Sequence, residues 1–559
     1  MQTRWTRRSA LLGAAAVATP ALWRSNRVLA ETPSPLFTVT SPPYVEVDTA
    51  LGRVRGGHSR GALAFKGIPY AGPVTGAARF KEAPPPQAWT GVRDALQLGP
   101  PSMQGPGTTY GENEPPYSEN CLVLNVWTPA VGDGRKRPVM VYSHGGGFVT
   151  GSGGSKDVDG SRLAAVYDVV VVTTNHRLGI LGYLYLGELG GEEYATSGNQ
   201  GMLDIVAALR WVKNNIEAFG GDPGNVMICG ESGGGGKVGT LLAMPSARGL
   251  FHKASIESGP ALRRLTKQEA TEVARRVLNG LGISPGELHK LTEAPAEAFV
   301  TMQLQLDHGQ GPLIKPSNGS ASPQLPRTGP FEPVVDGSIL PQHPFDPVAA
   351  PTAAQIPLVV GFNHDEDTFF ERERPEVFHM DEATLISRAR SLLGGQAERA
   401  LATYREVYPK ASPAELYIAM ATAHRIGADT ITLAERKAAQ PAPVYLYRYD
   451  YPSNKPIPGT DWTLRAGHAT EIPMKFLNYD IPGLQGDGPG LREASQNFSS
   501  LWTSFARTGQ PRAAGSAEWP RYDRKRRATM LINTHCQVVD DPERRLRELW
   551  ESLRGTKPT

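Results

Sequence analysis

Only three cysteines, Cys121, Cys229 and Cys536, occur in 559 residues. An odd count at scattered positions excludes a disulfide framework, and each thiol is expected to pack as a small hydrophobe. Such a chain suits folding in a reducing compartment. No His/Cys cluster has ligand spacing, so no metal is expected. No stretch is apolar for long enough to span a bilayer comfortably, so no stable membrane anchor is expected. A repeat of fixed period is missing as well. Strong charge of one sign is also absent, with 58 Lys+Arg against 55 Asp+Glu for a net +3. Five of those positive charges (Arg4, Arg7, Arg8, Arg24 and Arg27) lie in the first thirty residues, which hold no acid. Without them the chain from Glu31 onward carries −2, and no basic face for nucleic acid is implied.

The same thirty residues read as an export signal. Thr6-Arg7-Arg8-Ser9-Ala10-Leu11 has the form of a twin-arginine motif, followed by a short, weakly apolar run from Ala10 to Trp23. Arg24 and Arg27 behind that run would hinder the general secretory route but are tolerated by the twin-arginine one. Ala10 stands where Phe is common, and an ordinary secretory signal is the alternative. Cleavage after Ala18 or Ala30 would release a periplasmic or secreted protein.

Residues 31–559 have the balance of a soluble globular chain, and the whole sequence is 40% hydrophobic and 20% charged. Short continuous apolar runs at 138–143 and 169–172 predict strands buried on both faces of a mostly parallel sheet. Between 199 and 219, Met202, Leu203, Val206, Leu209 and Val212 recur at helical spacing, and Gly220-Gly221-Asp222-Pro223 ends the helix. Further strands are predicted at 356–362, 444–449 and 528–532. A closing helix is expected with Asp541 as cap, Pro542 in its first turn, and Leu546, Leu549, Trp550 and Leu553 on its apolar face. The segment 308–330, rich in Gly, Pro and Ser, reads as a surface loop. One large α/β domain is therefore expected, with helices near 267–305 and 381–439 forming a cap or lid.

Within this frame the run Val226 to Gly234 carries an apolar strand into Gly230-Glu231-Ser232-Gly233-Gly234, the G-x-S-x-G nucleophile elbow. Acyl transfer to a serine needs a base, a carboxylate to orient it, and donors for the oxyanion. The glycine loop His144 to Phe148 follows a predicted strand, and the N–H groups of Gly146, Gly147 and Gly233 would make a three-donor hole. The chain order Ser, acid, His puts the base late. His468, in the loop after 444–449, is one of 12 histidines and the one so placed. Glu366, just past the strand at 356–362, is the candidate acid, although its neighbours Asp365 and Asp367 could take that role.

A resemblance adds to these residues. The chain resembles the type B carboxylesterases, the cholinesterase-like and para-nitrobenzyl-esterase-like family of the α/β-hydrolase superfamily. The matching stretches include Phe65 to Ala71, Arg79-Phe80, Trp89, Ser118 to Asn125, His144 to Phe148, Asn175 to Gly179 and Asn199 to Gly201. They continue through Phe219 to Pro223, the Ser232 elbow, Pro333 to Gly337, Trp502, Phe505-Ala506 and Trp519-Pro520. The resemblance implies an α/β-hydrolase fold with helical cap insertions. It also implies a Ser232–Glu366–His468 triad, oxyanion donors Gly146, Gly147 and Gly233, a small-molecule ester substrate and no cofactor.

Four positions depart from the family's pattern. Ser102 stands where a cysteine often bonds to the one at Cys121, so that bridge is absent. Asn120 replaces an Asp, Gly233 an Ala, and Lys237 a small Ser. Between Ser102 and Cys121 there are Tyr110 and Tyr117 but no Trp, so choline esters, which need an indole for their ammonium, are not expected. Hydrolysis of amides, carbamates or thioesters would use the same machinery. A non-catalytic binding protein of this fold would not need the complete set of groups. Oligomeric state and natural ester stay open at this level.

Overall fold

The computed structural model describes residues 43–105, 114–308, 330–513 and 518–555. The expected export segment, and 309–329 of the expected loop, lie outside the described residues. Residues Tyr44–Thr559 form one compact unit built on a 13-stranded sheet. In chain order its strands are β1 (Tyr44–Thr49), β2 (Gly52–Ser59), β3 (Ala62–Pro69), β4 (Val92–Asp94), β5 (Val123–Thr128), β6 (Arg137–Ser143) and β7 (Val170–Thr174). They continue as β8 (Gly221–Glu231), β9 (Lys253–Glu257), β10 (Leu358–Asn363), β11 (Val444–Tyr449), β12 (Ala528–Ile532) and β13 (Gln537–Asp540). The spatial order is β1-β2-β3-β5-β7-β6-β8-β9-β10-β11-β12-β13, with β4 beside β2.

Every pairing from β7 through β12 is parallel, while β13 and the strands on the β1 side pair antiparallel along that path. The division follows the sequence. β5, β6, β7 and β12 are buried at every position, as apolar runs covered by helices on both faces must be. β1 and β4 near one edge carry exposed residues instead. Central register sets Met140 opposite both Val171 and Met227, which fixes the tips of β6 and β8 side by side. The loops at those tips are the glycine loop and the elbow.

The predicted helix at 199–219 is an α-helix over Gln200–Asn215 that tightens to a 3-10 turn over Ile216–Phe219. Gly220, at φ +75°, stops it in the left-handed conformation. The closing helix runs Arg544–Leu553 with its expected apolar face buried, but its start differs from the expectation. Asp541 and Glu543 both adopt positive φ, so Asp541 does not cap and Pro542 lies outside the first turn. The Asp541 carboxylate instead accepts two hydrogen bonds from Arg547, at 2.7 and 2.8 Å. Helices over Lys267–Gly280 and Ala296–His308 are inserted between β9 and β10, and those from Glu382–Leu393 to Ala428–Ala438 between β10 and β11. Among the described residues no helix is long and apolar enough to cross a membrane.

One buried polar cluster underlies the strand tips. Lys475 and Glu257, both fully buried, form an ion pair. Glu257 Oε1 also accepts from Trp502 Nε1 at 2.8 Å and from Ser255 Oγ at 2.8 Å. Desolvating such a pair is costly, so these added bonds are what make it tolerable. The same residue's backbone carbonyl accepts the Ser232 N–H at 2.8 Å, which ties the elbow to the end of β9.

Candidate active site

β8 ends at Glu231, and Ser232 turns the chain into the helix Gly233–Leu241 with φ 56° and ψ −123°. A non-glycine residue at positive φ is strained, and here the strain lifts the serine above the sheet edge. The turn is so close that a Cβ at Gly234 would lie 2.1 Å from Ser143 O and 3.0 Å from His144 O, both backbone atoms of the β6 tip. Gly234→Ala is therefore expected to destabilise the fold by about 1–3 kcal/mol and to lower turnover. Thermal unfolding together with an ester assay checks it, and wild-type values in both would contradict the geometry. Ser232 is half-buried, and among the described residues its hydroxyl makes no hydrogen bond.

His468 stands in the loop after β11 and is buried. Its Nδ1 lies 2.6 Å from Glu366 Oε2, the geometry of an N–H donating to a carboxylate. Glu366 is held in turn: its Oε1 accepts the Asn363 N–H at 2.8 Å, and its carbonyl accepts the His468 N–H at 3.3 Å. Asp365 and Asp367, the other two candidate acids, point elsewhere. Asp365 Oδ1 is 3.1 Å from His364 Nδ1, and Asp367 Oδ1 accepts from Arg425 Nε at 3.1 Å. Of the three neighbours, Glu366 is the one the fold brings to His468.

The ring's other nitrogen, Nε2, faces the elbow. It lies 3.2 Å from Glu231 Oε1, but neither Glu231 oxygen is aligned for a hydrogen bond. Among the described residues no hydrogen bond joins Ser232 to His468, so the structure brings them to one site without the direct contact the sequence suggests. Burial, then the nearby Glu366 and Glu257, pushes the Glu231 carboxyl well above the usual carboxylate range. Burial, with Glu231 and Glu366 nearby, does the same to Glu471. In both, burial and like charge disfavour the ionised form beside the imidazole.

Sequence reasoning missed the ring's apolar walls. Phe370 and Phe369, on the short helix Asp367–Glu371, sit 4.6 and 5.6 Å from the His468 ring. They follow Glu366 by four and three residues, and that closeness to the acid was the available signal. Glu471, three residues after His468, accepts from Asn363 Nδ2, which also donates to Gly467 O at 2.8 Å.

The glycine loop at the tip of β6 lies against the elbow. Gly146 and Gly147 adopt φ +83° and +63°, and the Gly147 carbonyl faces Gly233 so closely that a Cβ there would lie 2.0 Å from it. The departure from Ala at 233 thus matches a loop that approaches more closely than a methyl group permits. The Ser102 departure is likewise accommodated. Cys121 is a buried free thiol, and the Ser102 hydroxyl accepts the Leu178 N–H at 3.2 Å. Beside the exposed Asn120, Glu119 supplies the ion pair, bonding Arg79 at 2.6 and 2.7 Å. Of the two tyrosines noted ahead of Cys121, Tyr110 lies outside the described residues.

This arrangement has known counterparts. Residues 43–550 match the model of the Carboxylesterase family. The para-nitrobenzyl esterase of Bacillus subtilis is 37% identical over 510 residues, covering 90% of this chain and 97% of its own. The phenmedipham hydrolase of Pseudarthrobacter oxydans is 31% identical, covering 87% and 94%. Among solved structures, a carboxylesterase of Geobacillus stearothermophilus superposes with a TM-score of 0.77 at 38% identity, covering 90% of this chain and 99% of that one. With an α/β-hydrolase sheet, an elbow serine and a relationship that spans nearly its whole length, the chain belongs to the carboxylesterase family of serine-dependent ester hydrolases.

Proposed function

We propose that Ser232 is the nucleophile, His468 the general base and Glu366 the orienting acid of a two-step acyl transfer, with the N–H groups of Gly146, Gly147 and Gly233 as the oxyanion hole. The observation that carries this reading is the 2.6 Å contact between His468 Nδ1 and Glu366, which aims Nε2 at the elbow. Nε2 and the Ser232 hydroxyl are both without a hydrogen bond among the described residues. Catalytic contacts of this kind commonly tighten only when substrate binds.

Ser232 Oγ attacks the ester carbonyl as Nε2 takes its proton, and Glu366 stabilises the imidazolium. The imidazolium then gives that proton to the leaving alcohol. Water attacks the acyl-enzyme, losing a proton to Nε2, and the imidazolium returns that proton to Ser232 Oγ as the acyl–oxygen bond breaks and the acid departs. No metal or organic cofactor has a part in these steps. The substrate is a small-molecule ester, and amides, carbamates or thioesters are the alternative acyl donors.

A panel of p-nitrophenyl esters of rising acyl length, with the matched anilides as controls, tests the reading. Ester hydrolysis well above anilide hydrolysis is expected, and the reverse order would favour an amidase.

Residues 1–30 are proposed to direct twin-arginine export, leaving 31–559 as a single catalytic domain outside the cytoplasm. Changing Arg7 and Arg8 both to Lys is expected to leave the precursor uncleaved in the cytoplasm. Fractionation of an exporting host reads this out, and unchanged export would point to the general secretory route.

A further inference from the structure

Lys237 is the least expected residue near the elbow. It lies on the second turn of the helix Gly233–Leu241 and is completely buried. Its ammonium donates to His144 O at 2.9 Å and sits 5.5 Å from the centre of the Phe148 ring. Those two residues bracket Gly145, Gly146 and Gly147. One cation on the nucleophile's own helix therefore grips both ends of the glycine loop.

The loop has little else to hold it. Gly146 O accepts from Val149 N, Thr150 N and the Thr150 hydroxyl, and Gly145 O lies 2.9 Å from His144 Nδ1. Among the described residues, Lys237 is the one side chain from outside 144–150 that bonds to 144–147. Three successive glycines have high conformational entropy, so an external tie matters more here than in an ordinary turn.

The surroundings give the ammonium no counter-ion. Facing it are His144 and His176, stacked at 4.6 Å and both buried. Arg264 lies 5.0 Å from the centre of the same Phe148 ring and is itself 3.3 Å from Glu332. Burial, and then the Lys237 charge, holds both imidazoles well below their ordinary pKa, so they stay neutral. Among the described residues no ion pair includes Lys237. An unpaired buried cation opposes folding, and burial pulls this amine down to about 7. An apolar side chain of equal length would stabilise the fold better, so what the ammonium contributes is sought at the site.

We propose that Lys237 is a positioning residue of the oxyanion loop, whose bond to His144 O and seat on Phe148 hold the Gly146 and Gly147 amides in register with Ser232. This rests on the acyl-enzyme reading above. Such a residue acts on the transition state, where the oxyanion exists, and hardly on the ground state.

The test compares wild type with Lys237→Met, which keeps length and removes donor and charge, and with Lys237→Gln, which restores a donor. Each is assayed for kcat and KM on p-nitrophenyl butyrate, for inhibition by a trifluoromethyl ketone that binds as an oxyanion, and for thermal unfolding. The Met variant is expected to lose roughly 10–100-fold in kcat with KM within about threefold. Its trifluoromethyl ketone affinity should fall by the same factor as kcat, and the Gln variant should recover part of both.

The Met variant should also unfold at a higher temperature than wild type. The sign follows from the amine's pKa, lower in the folded than in the unfolded chain. Wild type carries the full penalty below pH 7 and sheds it as pH rises toward the ordinary lysine range. The margin between the two proteins should therefore be largest near pH 6 and shrink toward pH 10. Unchanged kcat and inhibitor affinity would overturn the inference, as would a Met variant that is less stable or fails to fold. If a fluorophosphonate does not label Ser232 of the active wild type, the acyl-enzyme reading falls and this inference with it. Labelling at Ser232 with no effect of Lys237→Met removes the inference alone.

Discussion

Ser232→Ala is expected to lower kcat by on the order of 10³-fold or more. This corresponds to at least about 4 kcal/mol of lost transition-state stabilisation. Of Glu231, Ser232 and Gly233 at the elbow, only the serine carries a hydroxyl. Removing it leaves the glycine loop and the His468–Glu366 pair in place, so residual activity is expected to reflect water attack alone. Folding should be spared. The Ser232 hydroxyl makes no hydrogen bond among the described residues, so alanine strands no partner, and the strained φ of 56° is common to both side chains. Initial rates on p-nitrophenyl acetate, with circular dichroism and unfolding temperature as controls, check the expectation. A folded variant with near-wild-type turnover would remove Ser232 from the mechanism.

Glu366→Gln carries the second large effect, about 10³–10⁴-fold in kcat. The reason is a tautomer. Oε1 of Glu366 accepts the Asn363 N–H at 2.8 Å, and an amide placed there must present its oxygen to that donor. Its NH2 group then faces His468 Nδ1, which can only accept. The ring proton moves to Nε2, and the nitrogen aimed at the elbow can no longer take a proton from Ser232. Asp365→Asn and Asp367→Asn lack this consequence, because their carboxylates face His364 and Arg425. They are expected to leave kcat within about one order of magnitude. Steady-state kinetics on the three variants separates the candidates. An Asp367→Asn loss equal to that of Glu366→Gln would reassign the acid.

The same three residues show where sequence reasoning reaches its limit. Strands β6, β7 and β12 were legible because a strand buried on both faces must be an unbroken apolar run, and such runs are scarce in a chain this polar. The elbow and the glycine loop were legible because each is a tight backbone path that glycine spacing records directly. Asp365, Glu366 and Asp367 differ only in which way a loop turns after β10, and that turn is set by Asn363 and by the His468 loop a hundred residues on. The start of the last helix was misjudged for a related reason: Asp541 is drawn to Arg547 and leaves the cap position. Lys237 touching His144 bridges 93 positions. Periodicity carries no trace of such a contact, and the resemblance flagged the residue only as a departure. The walls formed by Phe369 and Phe370 belong to the same class, since two aromatics on a short helix look like ordinary core.

The proposed acyl transfer needs a strained serine and a carboxylate-held imidazole at one sheet edge. Its most direct test is to titrate the mature protein with a fluorophosphonate, following activity and intact mass together, and to map the adduct by peptide sequencing. The account predicts one equivalent per chain, complete loss of esterase activity, a modified peptide bearing the adduct on Ser232, and labelling slowed severely by His468→Ala. Full inactivation with the adduct on another residue, or labelling of Ser232 at an undiminished rate in the His468→Ala protein, would contradict it.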